Sequence, residues 1–297
     1  MCNDPLTTAE TRLGLKPGQF PFESRFVSVL GARLHYVDEG QGPVVLMLHG
    51  NPAWSFLFRR HIQALRTRYR CIAFDLAGFG LSVAPEGFSF LPQDHSRLIG
   101  AALEALDIRD ATLVAHDWGG PIGLGAMLGA AGRITRLALG NTWAWPVNGD
   151  FHFEWFAKLM GGCIGRWASK HFAVLINLVM PRSMRRRALT ADEMHAYRAP
   201  FAGRSRKPMY IFPREITGSS QWLATIEAGL RGFAGSVNFI WPENDIAFRE
   251  TELQRWRRLL PQATVTRVAR CGHFLWEDAP EETLAALKSA LDGAASS

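Results

Sequence analysis

The chain has 297 residues, a formal net charge of +6, 47% hydrophobic residues and 20% charged residues. This length and balance predict a globular protein with a large core and exclude a disordered or disulfide-stapled chain. The longest apolar run, Phe172 to Met180, has nine residues. That is about half the length of a membrane-spanning helix, so we expect a buried helix segment and no membrane partner.

The N-terminal stretch and the cysteines predict a cytoplasmic protein. The first residues, MCNDPLTTAETRLG, lack the apolar core of a secretory signal. The four cysteines are scattered without metal-ligand spacing, which indicates a reducing compartment and no metal site. They are Cys2, Cys71, Cys163 and Cys271.

Positive charge is concentrated in one part of the chain. Residues 147–221 contain twelve Lys or Arg and five Asp or Glu, which leaves +7 there. The densest cluster is RSMRRR at 182–187. No nucleic-acid-binding motif accompanies it, so we interpret it as a solvated helix face or an oligomer contact and expect no nucleic-acid partner.

The first half of the chain alternates between strands and helices. A β-hairpin is predicted over 25–40, where apolar and polar residues alternate on both sides of Gly31. Buried strands and amphipathic helices follow. The strands are predicted in PVVLMLHG, CIAFDLAGFG, ATLVAHDWGG and ITRLALGNTW, and the helices in FLFRRHIQALRT and FLPQDHSRLIGAALEALDI. This order predicts an α/β fold, a mostly parallel twisted sheet with helices on both faces.

The alternation stops at about residue 147 and then returns. Residues 147–221 are aromatic, basic and helical in pattern, with no clear strand. Strands return in SVNFIWPENDIAF and ATVTRVA, and the last helix is predicted from DAPEETL, with Asp278 near its cap. We therefore predict an α/β core domain of residues 1–146 and 222–297 with an inserted helical lid of residues 147–221.

Four strand ends carry groups suited to catalysis. These are HGNP at 49–52, HDWGG at 116–120, WPENDIAF at 241–248 and CGHFLWED at 271–278. Parallel strands bring such ends to one edge of the sheet. The stretch LVAHDWGGPIG at 113–123 has the pattern of a nucleophile elbow, with Asp117 where the G-x-S-x-G version has serine. Alone, DWGG is better explained by a helix-capping aspartate, but the four motifs in this order favour a catalytic site.

A carboxylate at the elbow suits a different electrophile from a serine. It can displace a leaving group from an sp³ carbon and form an alkyl ester. Hydrolysis of that ester needs a base, for which His273 is the candidate, and a third group that sets the tautomer of the base. The backbone N–H groups of Asn51 and Trp118 are candidates for stabilising the oxyanion of that step.

These motifs resemble those of the haloalkane dehalogenases of the α/β-hydrolase fold, over residues 20–292. The resemblance implies that Asp117 is the nucleophile, His273 the base and Asp245 its carboxylate partner. It implies that the side chains of Asn51 and Trp118 hold the leaving halide. It also implies a small halogenated aliphatic substrate, a halide product and no metal or organic cofactor.

The position of the acid indicates which subfamily the chain resembles. The earlier of the two positions that the family uses offers only Asn141 and Thr142, whereas WPENDIAF resembles the family pattern W-G-x-x-D with Pro242 in place of glycine. Glu243 is the competitor of Asp245. HGNP together with the later acid is most like subfamily III, whose members often form oligomers, so the resemblance implies a homo-oligomer.

Aromatic residues near the strand ends are candidates for an apolar substrate pocket, in which desolvation favours displacement by a carboxylate. Each of them can equally be part of the core. The candidates are Trp54, Phe56, Trp143, Trp145, Phe151 and Phe274.

Other activities remain open on the same motifs. An epoxide hydrolase uses an elbow aspartate together with two lid tyrosines, for which Tyr197 and Tyr210 are the candidates. A fluoroacetate-type dehalogenase usually has arginine after the nucleophile, where this chain has Trp118. A luciferase-like relative and a non-catalytic binding protein on the same fold remain further alternatives.

Overall fold

An eight-stranded β-sheet forms the centre of the protein in the computed structural model, which describes residues 8–203 and 205–293; Cys2 lies outside these ranges. The strands are β1 (Arg25–Val29), β2 (Ala32–Glu39), β3 (Val44–Leu48), β4 (Arg70–Phe74), β5 (Ala111–His116), β6 (Ile134–Gly140), β7 (Val237–Pro242) and β8 (Thr264–Val268). Their spatial order is β1-β2-β4-β3-β5-β6-β7-β8. Pairings β1–β2 and β2–β4 are antiparallel, and the others are parallel.

The sequence pattern of each strand matches its place in the sheet. The hairpin predicted around Gly31 is present, and Leu30 and Gly31 both take positive φ angles in its turn. Strand β5 is buried along its whole length, as its continuous apolar run predicts. The predicted α/β fold is confirmed.

Thirteen helices are present in the described residues. They are α1 (Ala9–Leu13), α2 (Arg59–Leu65), α3 (Pro92–Ala105), α4 (Gly119–Gly129), α5 (Phe151–Gly161), α6 (Cys163–Phe172), α7 (Met180–Arg182), α8 (Ala191–Arg198), α9 (Lys207–Gly218), α10 (Ser220–Leu230), α11 (Glu250–Leu259), α12 (Leu275–Asp278) and α13 (Pro280–Gly293). Short 3₁₀ turns lie at Ser55–Phe58 and Ala199–Phe201, and a π-helical turn at Leu175–Val179. None of the helices described is long and apolar enough to span a bilayer.

The connection between β6 and β7 contains α5 to α10 and has no strand in its described residues. Helix α10 packs on α4 of the core, and the predicted lid boundary at 221/222 falls within α10. The run 172–180, predicted as a buried helix segment, is only half buried. Leu175, Ile176 and Met180 are buried, whereas Phe172 and Leu178 are exposed, because the run lies on the lid with one side facing solvent.

The basic cluster at 182–187 lies where the lid meets the core. Arg182, Arg185 and Arg186 are exposed, as predicted, but the cluster is not a helix face, because only Arg182 belongs to a helix. Residues 184–187 are irregular, and the backbone N–H groups of Arg185 and Arg186 donate to the Asp278 carboxylate at 2.8–3.1 Å. The Arg186 side chain pairs with Glu282. Asp278 belongs to the core, two residues before helix α13 begins, so its carboxylate ties the lid segment to the core.

A buried ionic network makes a second attachment, which we call the lid anchor (Arg59, Arg187, Glu193, Tyr197 and Glu277). Arg187 binds Glu193 at 2.8 Å and Glu277 at 2.7 Å. Arg59 of the core binds the same two carboxylates. The Tyr197 hydroxyl donates to Glu277 at 2.6 Å. Because these charges are paired, the lid is fixed on the core at this side.

Candidate active site

Asp117 stands at the tip of a sharp turn between β5 and α4. Its φ of +50° is the left-handed conformation that non-glycine residues rarely adopt. The helix that follows starts with Gly119, where a Cβ atom would collide with the Leu48 carbonyl. The Asp117 carboxylate is thus held at the carboxyl edge of the sheet by backbone geometry.

The HGNP loop after β3 lies directly against this carboxylate. The backbone N–H of Asn51 donates to Asp117 Oδ1 at 2.8 Å, and the N–H of Trp118 also hydrogen-bonds to the carboxylate. Gly50 makes the approach possible, because a Cβ there would collide with Asp117 Oδ1. The predicted pair of backbone donors therefore lies against the Asp117 carboxylate.

Buried imidazoles fix the loops around Asp117. His49 Nδ1 donates to the Gly50 carbonyl at 2.8 Å, and its Nε2 accepts from Leu76 N–H at 3.0 Å. His116 Nε2 donates to the His273 carbonyl at 2.9 Å. Burial lowers the pKa of both His49 and His116 below the ordinary value, so both rings are neutral. Both imidazoles therefore hold backbone groups of the site in place.

His273 and Asp245 form a hydrogen-bonded pair beyond β8 and β7. His273 Nδ1 lies 3.0 Å from Asp245 Oδ2 and 3.1 Å from Oδ1, and the Asp245 side chain is fully buried. Ala247 N–H donates to Asp245 Oδ1 at 2.6 Å, and the Asn141 amide donates to Oδ2. The carboxylate thereby fixes Nδ1 as the protonated nitrogen and leaves Nε2 as the basic one.

The site perturbs the pKa values of both reacting groups. Burial raises the pKa of Asp117 above its ordinary 3.8, despite the opposing effects of His273 and the two backbone donors. Burial lowers the pKa of His273, but the negative charges of Asp245 and Asp117 outweigh it, and the net shift is above 6.5. A nucleophile and a base with shifted pKa values in one cavity are typical of a catalytic site.

An apolar cavity of about 300 Å³ lies over Asp117 and His273. Core and lid both contribute to its wall. It is lined by Asn51, Pro52, Asp117, Trp118, Trp143, His152, Phe153, Trp155, Phe156, Leu175, Val179, Met180, Ser183, Pro213, Ile216, Ile246, Ala247, Phe248, His273 and Phe274. Few polar groups face an otherwise apolar wall, which suits a small apolar ligand.

Asn51 and Trp118 both line this cavity. Asn51 Nδ2 donates to the Met209 carbonyl at 3.0 Å. That bond orients the carboxamide and uses one of its two N–H groups. Trp118 is buried between Trp143 and Phe212, with ring centroids 4.6 Å and 5.2 Å away. Both predicted halide donors are therefore fixed in place at the wall of the cavity.

Two of the six predicted pocket aromatics line the cavity, Trp143 and Phe274. The other four predictions are wrong. Trp54 and Phe56 stack on each other in the core, and Trp54 Nε1 donates to the Ala196 carbonyl. Trp145 packs between Trp256 and the Arg255 guanidinium. Phe151 is 78% exposed, because it starts α5 on the solvent side.

Most of the lid wall was not predicted. Phe153 and Phe156 belong to α5, two and five residues after Phe151, so helical phase alone decides which of them face inward. Ile246 and Phe248 lie in the stretch WPENDIAF that already marked Asp245. The two lid tyrosines lie elsewhere: Tyr197 belongs to the lid anchor, and Tyr210 is absent from the cavity wall.

No cluster of His, Cys, Asp and Glu in the described residues could hold a metal ion. Cys71 and Cys271 are buried thiols whose pKa values burial raises, the former to about 12.

Known proteins share both the sequence and this arrangement of elements. A family model described as alpha/beta hydrolase fold matches residues 43–280. Haloalkane dehalogenase 2 of Mycobacterium tuberculosis is 35% identical over 276 residues, which cover 91% of this chain and 96% of that protein. The chain belongs to the haloalkane dehalogenase family.

Two further relatives show the range of this similarity. The crystal structure of an ancestral haloalkane dehalogenase superposes with a TM-score of 0.84 at 28% identity, over 92% of this chain and all of that one. A cis-3-alkyl-4-alkyloxetan-2-one decarboxylase of Shewanella oneidensis is 32% identical over 287 residues, 90% of this chain and 88% of that protein. The predicted family is confirmed, the subfamily stays a prediction, and proteins similar to haloalkane dehalogenases also include a decarboxylase.

Proposed function

We propose that this protein is a hydrolytic haloalkane dehalogenase that converts a small halogenated aliphatic compound and water into an alcohol, a halide ion and a proton. The observation that carries the proposal is the elbow carboxylate of Asp117 facing an apolar cavity, with the His273–Asp245 pair beside it. Asp117, His273 and Asp245 are the proposed nucleophile, base and orienting acid.

In the first step, a carboxylate oxygen of Asp117 attacks the carbon that bears the halogen. The backbone N–H of Asn51 engages Oδ1, so Oδ2 is the proposed attacking atom. The C–O bond forms as the carbon–halogen bond breaks, and the halide leaves with the bonding electron pair. The free amide N–H of Asn51 and the indole N–H of Trp118 stabilise the halide without a formal charge.

In the second step, water attacks the carbonyl carbon of the Asp117 ester. His273 Nε2 takes a proton from the water, and Asp245 stabilises the resulting imidazolium. The negative charge that develops on Oδ1 is already opposite the N–H groups of Asn51 and Trp118. Collapse of the intermediate breaks the bond to Oδ2, and the leaving alkoxide takes the proton from the His273 imidazolium and departs as the alcohol. The carboxylic acid that remains on Asp117 loses its proton, which is released and restores the carboxylate.

An epoxide hydrolase is less well supported by the same site. It needs hydroxyl donors for the epoxide oxygen, and no tyrosine is among the residues that line the cavity. Tyr197 is buried, its hydroxyl donates to Glu277, and its pKa is raised well above 10 by burial. The proposal needs no organic cofactor, because both steps use carboxylate, imidazole and water.

Location and assembly extend the proposal. The proposal includes a cytoplasmic location, which the scattered cysteines favour, and self-association, which the resemblance to subfamily III implies. Sedimentation velocity of the purified protein tests the second: a single species at the mass of one chain at all concentrations would contradict it.

The deciding experiment measures bromide release from 1-bromobutane and 1,2-dibromoethane by the purified protein, beside its Asp117→Ala variant. The same preparations are given styrene oxide and a cis-3,4-dialkyl oxetan-2-one. Bromide release by the wild-type protein that is lost in the variant supports the proposal. Diol without bromide would assign epoxide hydrolysis, alkene from the oxetanone without bromide would assign decarboxylation, and silence on all substrates would contradict a catalytic role.

A further inference from the structure

The lid exposes an unusual number of large apolar side chains. Of the eleven such side chains in the described residues, seven lie between residues 151 and 178. We call these seven the lid apolar face; they are Phe151, Trp155, Leu159, Ile164, Trp167, Phe172 and Leu178. Single exposed apolar residues are ordinary, but a contiguous group of them marks an interaction surface.

The lid apolar face follows the helical repeat. On α5, Phe151, Trp155 and Leu159 are spaced four residues apart, so they form a single stripe. The opposite side of α5 is buried through Phe153 and Met160. Both sides of α5 are therefore apolar, but only the inner side packs against the rest of the protein.

Helix α6 continues the surface. Ile164 is 81% exposed and Trp167 57% exposed, and the Trp167 ring packs against Phe172 at 5.3 Å between centroids. These rings stabilise each other while they remain in water. Both remain more than half exposed.

Cations border these side chains. Residues 151–182 contain four Lys or Arg and one Glu, which leaves +3. Lys158, Arg166 and Lys170 are exposed, and in the described part of the chain no carboxylate lies within ion-pair distance of Arg166 or Lys170. Exposed aromatic and aliphatic side chains flanked by lysine and arginine are typical of helices that lie on anionic lipid. A second copy docked by a two-fold axis would bring the same cations together, which disfavours that occupant.

The cavity opens at the lid apolar face. Trp155 lines the cavity and is also 55% exposed, and Ile246 beside it is 41% exposed. Leu175 and Val179 line the cavity one turn from the exposed Leu178. The same segments therefore form the mouth of the cavity on one side and the exposed surface on the other.

We propose that the lid apolar face docks on an anionic lipid bilayer, with the mouth of the cavity toward the lipid. The sequence-based expectation of no membrane partner rests on the lack of a spanning helix, which does not bear on surface docking. An apolar compound dissolved in the bilayer then reaches the cavity without crossing bulk water. That last consequence rests on the proposed dehalogenation, whereas docking itself does not.

Vesicle flotation tests the docking. The full-length protein is mixed with vesicles of phosphatidylcholine alone or of phosphatidylcholine and phosphatidylglycerol in equal amounts. We expect binding to the anionic vesicles that weakens as salt is added. The double variant W167S/F172S should bind at least about ten-fold more weakly, because two exposed aromatic side chains no longer leave water. The double variant R166Q/K170Q should also lose about ten-fold or more.

Matched controls separate the surface from general effects. Leu30→Ser removes an exposed apolar side chain from the β1–β2 turn, and R257Q/R258Q removes the same charge as R166Q/K170Q from core helix α11. Both should bind as the wild type does. Thermal unfolding followed by circular dichroism reports whether each variant is folded, and this readout is independent of any enzymatic activity.

Three results would overturn the proposal. The first is no binding of the wild type to anionic vesicles. The second is equal loss in the control variants. The third is a W167S/F172S variant that binds vesicles normally but changes from oligomer to monomer in sedimentation, which would make a second copy the occupant of the face.

Discussion

Asp117 Oδ2 and His273 Nε2 lie 4.0 Å apart, beyond hydrogen-bond distance. His273 is bonded at its other nitrogen to Asp245, and Asp117 is bonded at its other oxygen to the loop after β3. Each residue thus has one atom held by the scaffold and one atom facing its partner across the cavity. This division suits a nucleophile and a base that act in successive steps rather than together.

Replacing His273 by glutamine should separate those two steps. The Asp117 carboxylate would still displace halide, but no base would activate water for the second step. We expect one equivalent of bromide per active site, followed by a stable alkyl adduct. Intact-protein mass spectrometry after incubation with 1-bromobutane measures the adduct, and peptide mapping should place it on Asp117. An inert variant without the adduct would contradict the assigned roles.

Gly50→Ala should disable the site while leaving the sheet folded. The new Cβ would collide with Asp117 Oδ1, so the loop or the elbow must shift. Small displacements of a nucleophile cost about 100-fold in rate, and we expect at least that loss in bromide release. Gly100→Ala is the matched control, since it lies on α3 and its Cβ meets nothing within 4 Å. Equal activity in the two variants would show that the close approach is unnecessary.

Trp118→Phe removes the indole N–H but retains an aromatic ring between Trp143 and Phe212. Loss of one donor to a developing anion costs about 100- to 1,000-fold in rate. The loss should fall on the halide-releasing step, which single-turnover measurement of bromide isolates. A change confined to the later, alcohol-releasing step would assign Trp118 to the oxyanion alone.

The two steps should respond differently to pH. The pKa of His273 is raised above 6.5 by Asp245 and Asp117, which outweigh burial. The base is neutral only above that pKa, so ester hydrolysis should slow as the pH falls through it. The pKa of Asp117, though raised by burial, starts from 3.8, so halide release should persist to lower pH. A burst of bromide that grows on acidification would be seen by stopped-flow, and its absence at every pH would contradict this order.

The lid anchor should make the protein sensitive to acid. Burial raises the pKa of Glu193, but hydrogen bonds from Arg187 outweigh it and hold the value at about 2. Since the folded pKa lies below the unfolded value of 4.5, the stabilisation is complete above about pH 4.5 and is lost as the pH falls toward 2. Glu193→Gln should lower the free energy of unfolding at neutral pH by about 2 kcal/mol and flatten its dependence on pH in this range. Urea unfolding at several pH values measures both effects.

That Asp117, Asp245 and His273 lie together was predictable because the signals of all three are local. Asp117 lies in an elbow motif, and Asp245 and His273 follow predicted strands whose ends must meet. The pocket was not predictable to the same degree, because it depends on how the lid packs. Trp54 and Trp143 stand in similar positions after strands, yet Trp54 donates to the Ala196 carbonyl within the core and Trp143 lines the cavity.

Asn141 is a further residue whose contacts in the site could not be predicted from the sequence. In the sequence it is notable only for lacking a carboxylate at the earlier acid position. In the structure its side-chain amide donates to Asp245, and its backbone carbonyl accepts from Asp117 N–H at 2.9 Å. A single residue thus contacts both Asp117 and Asp245, and this link between β5, β6 and β7 exists only once the three strands are aligned.

The lid segment at 183–187 and the stretch that carries His273 are held by one set of hydrogen bonds. Ser183 accepts from His273 N–H at 3.0 Å, and Asp278 binds both Gly272 N–H and the N–H groups of Arg185 and Arg186. A lid that swung open here would carry the base away from Asp117. We therefore expect substrate and product to pass where Trp155 and Ile246 line the cavity and are exposed, since movement there leaves the hydrogen bonds of His273 and Asp278 intact.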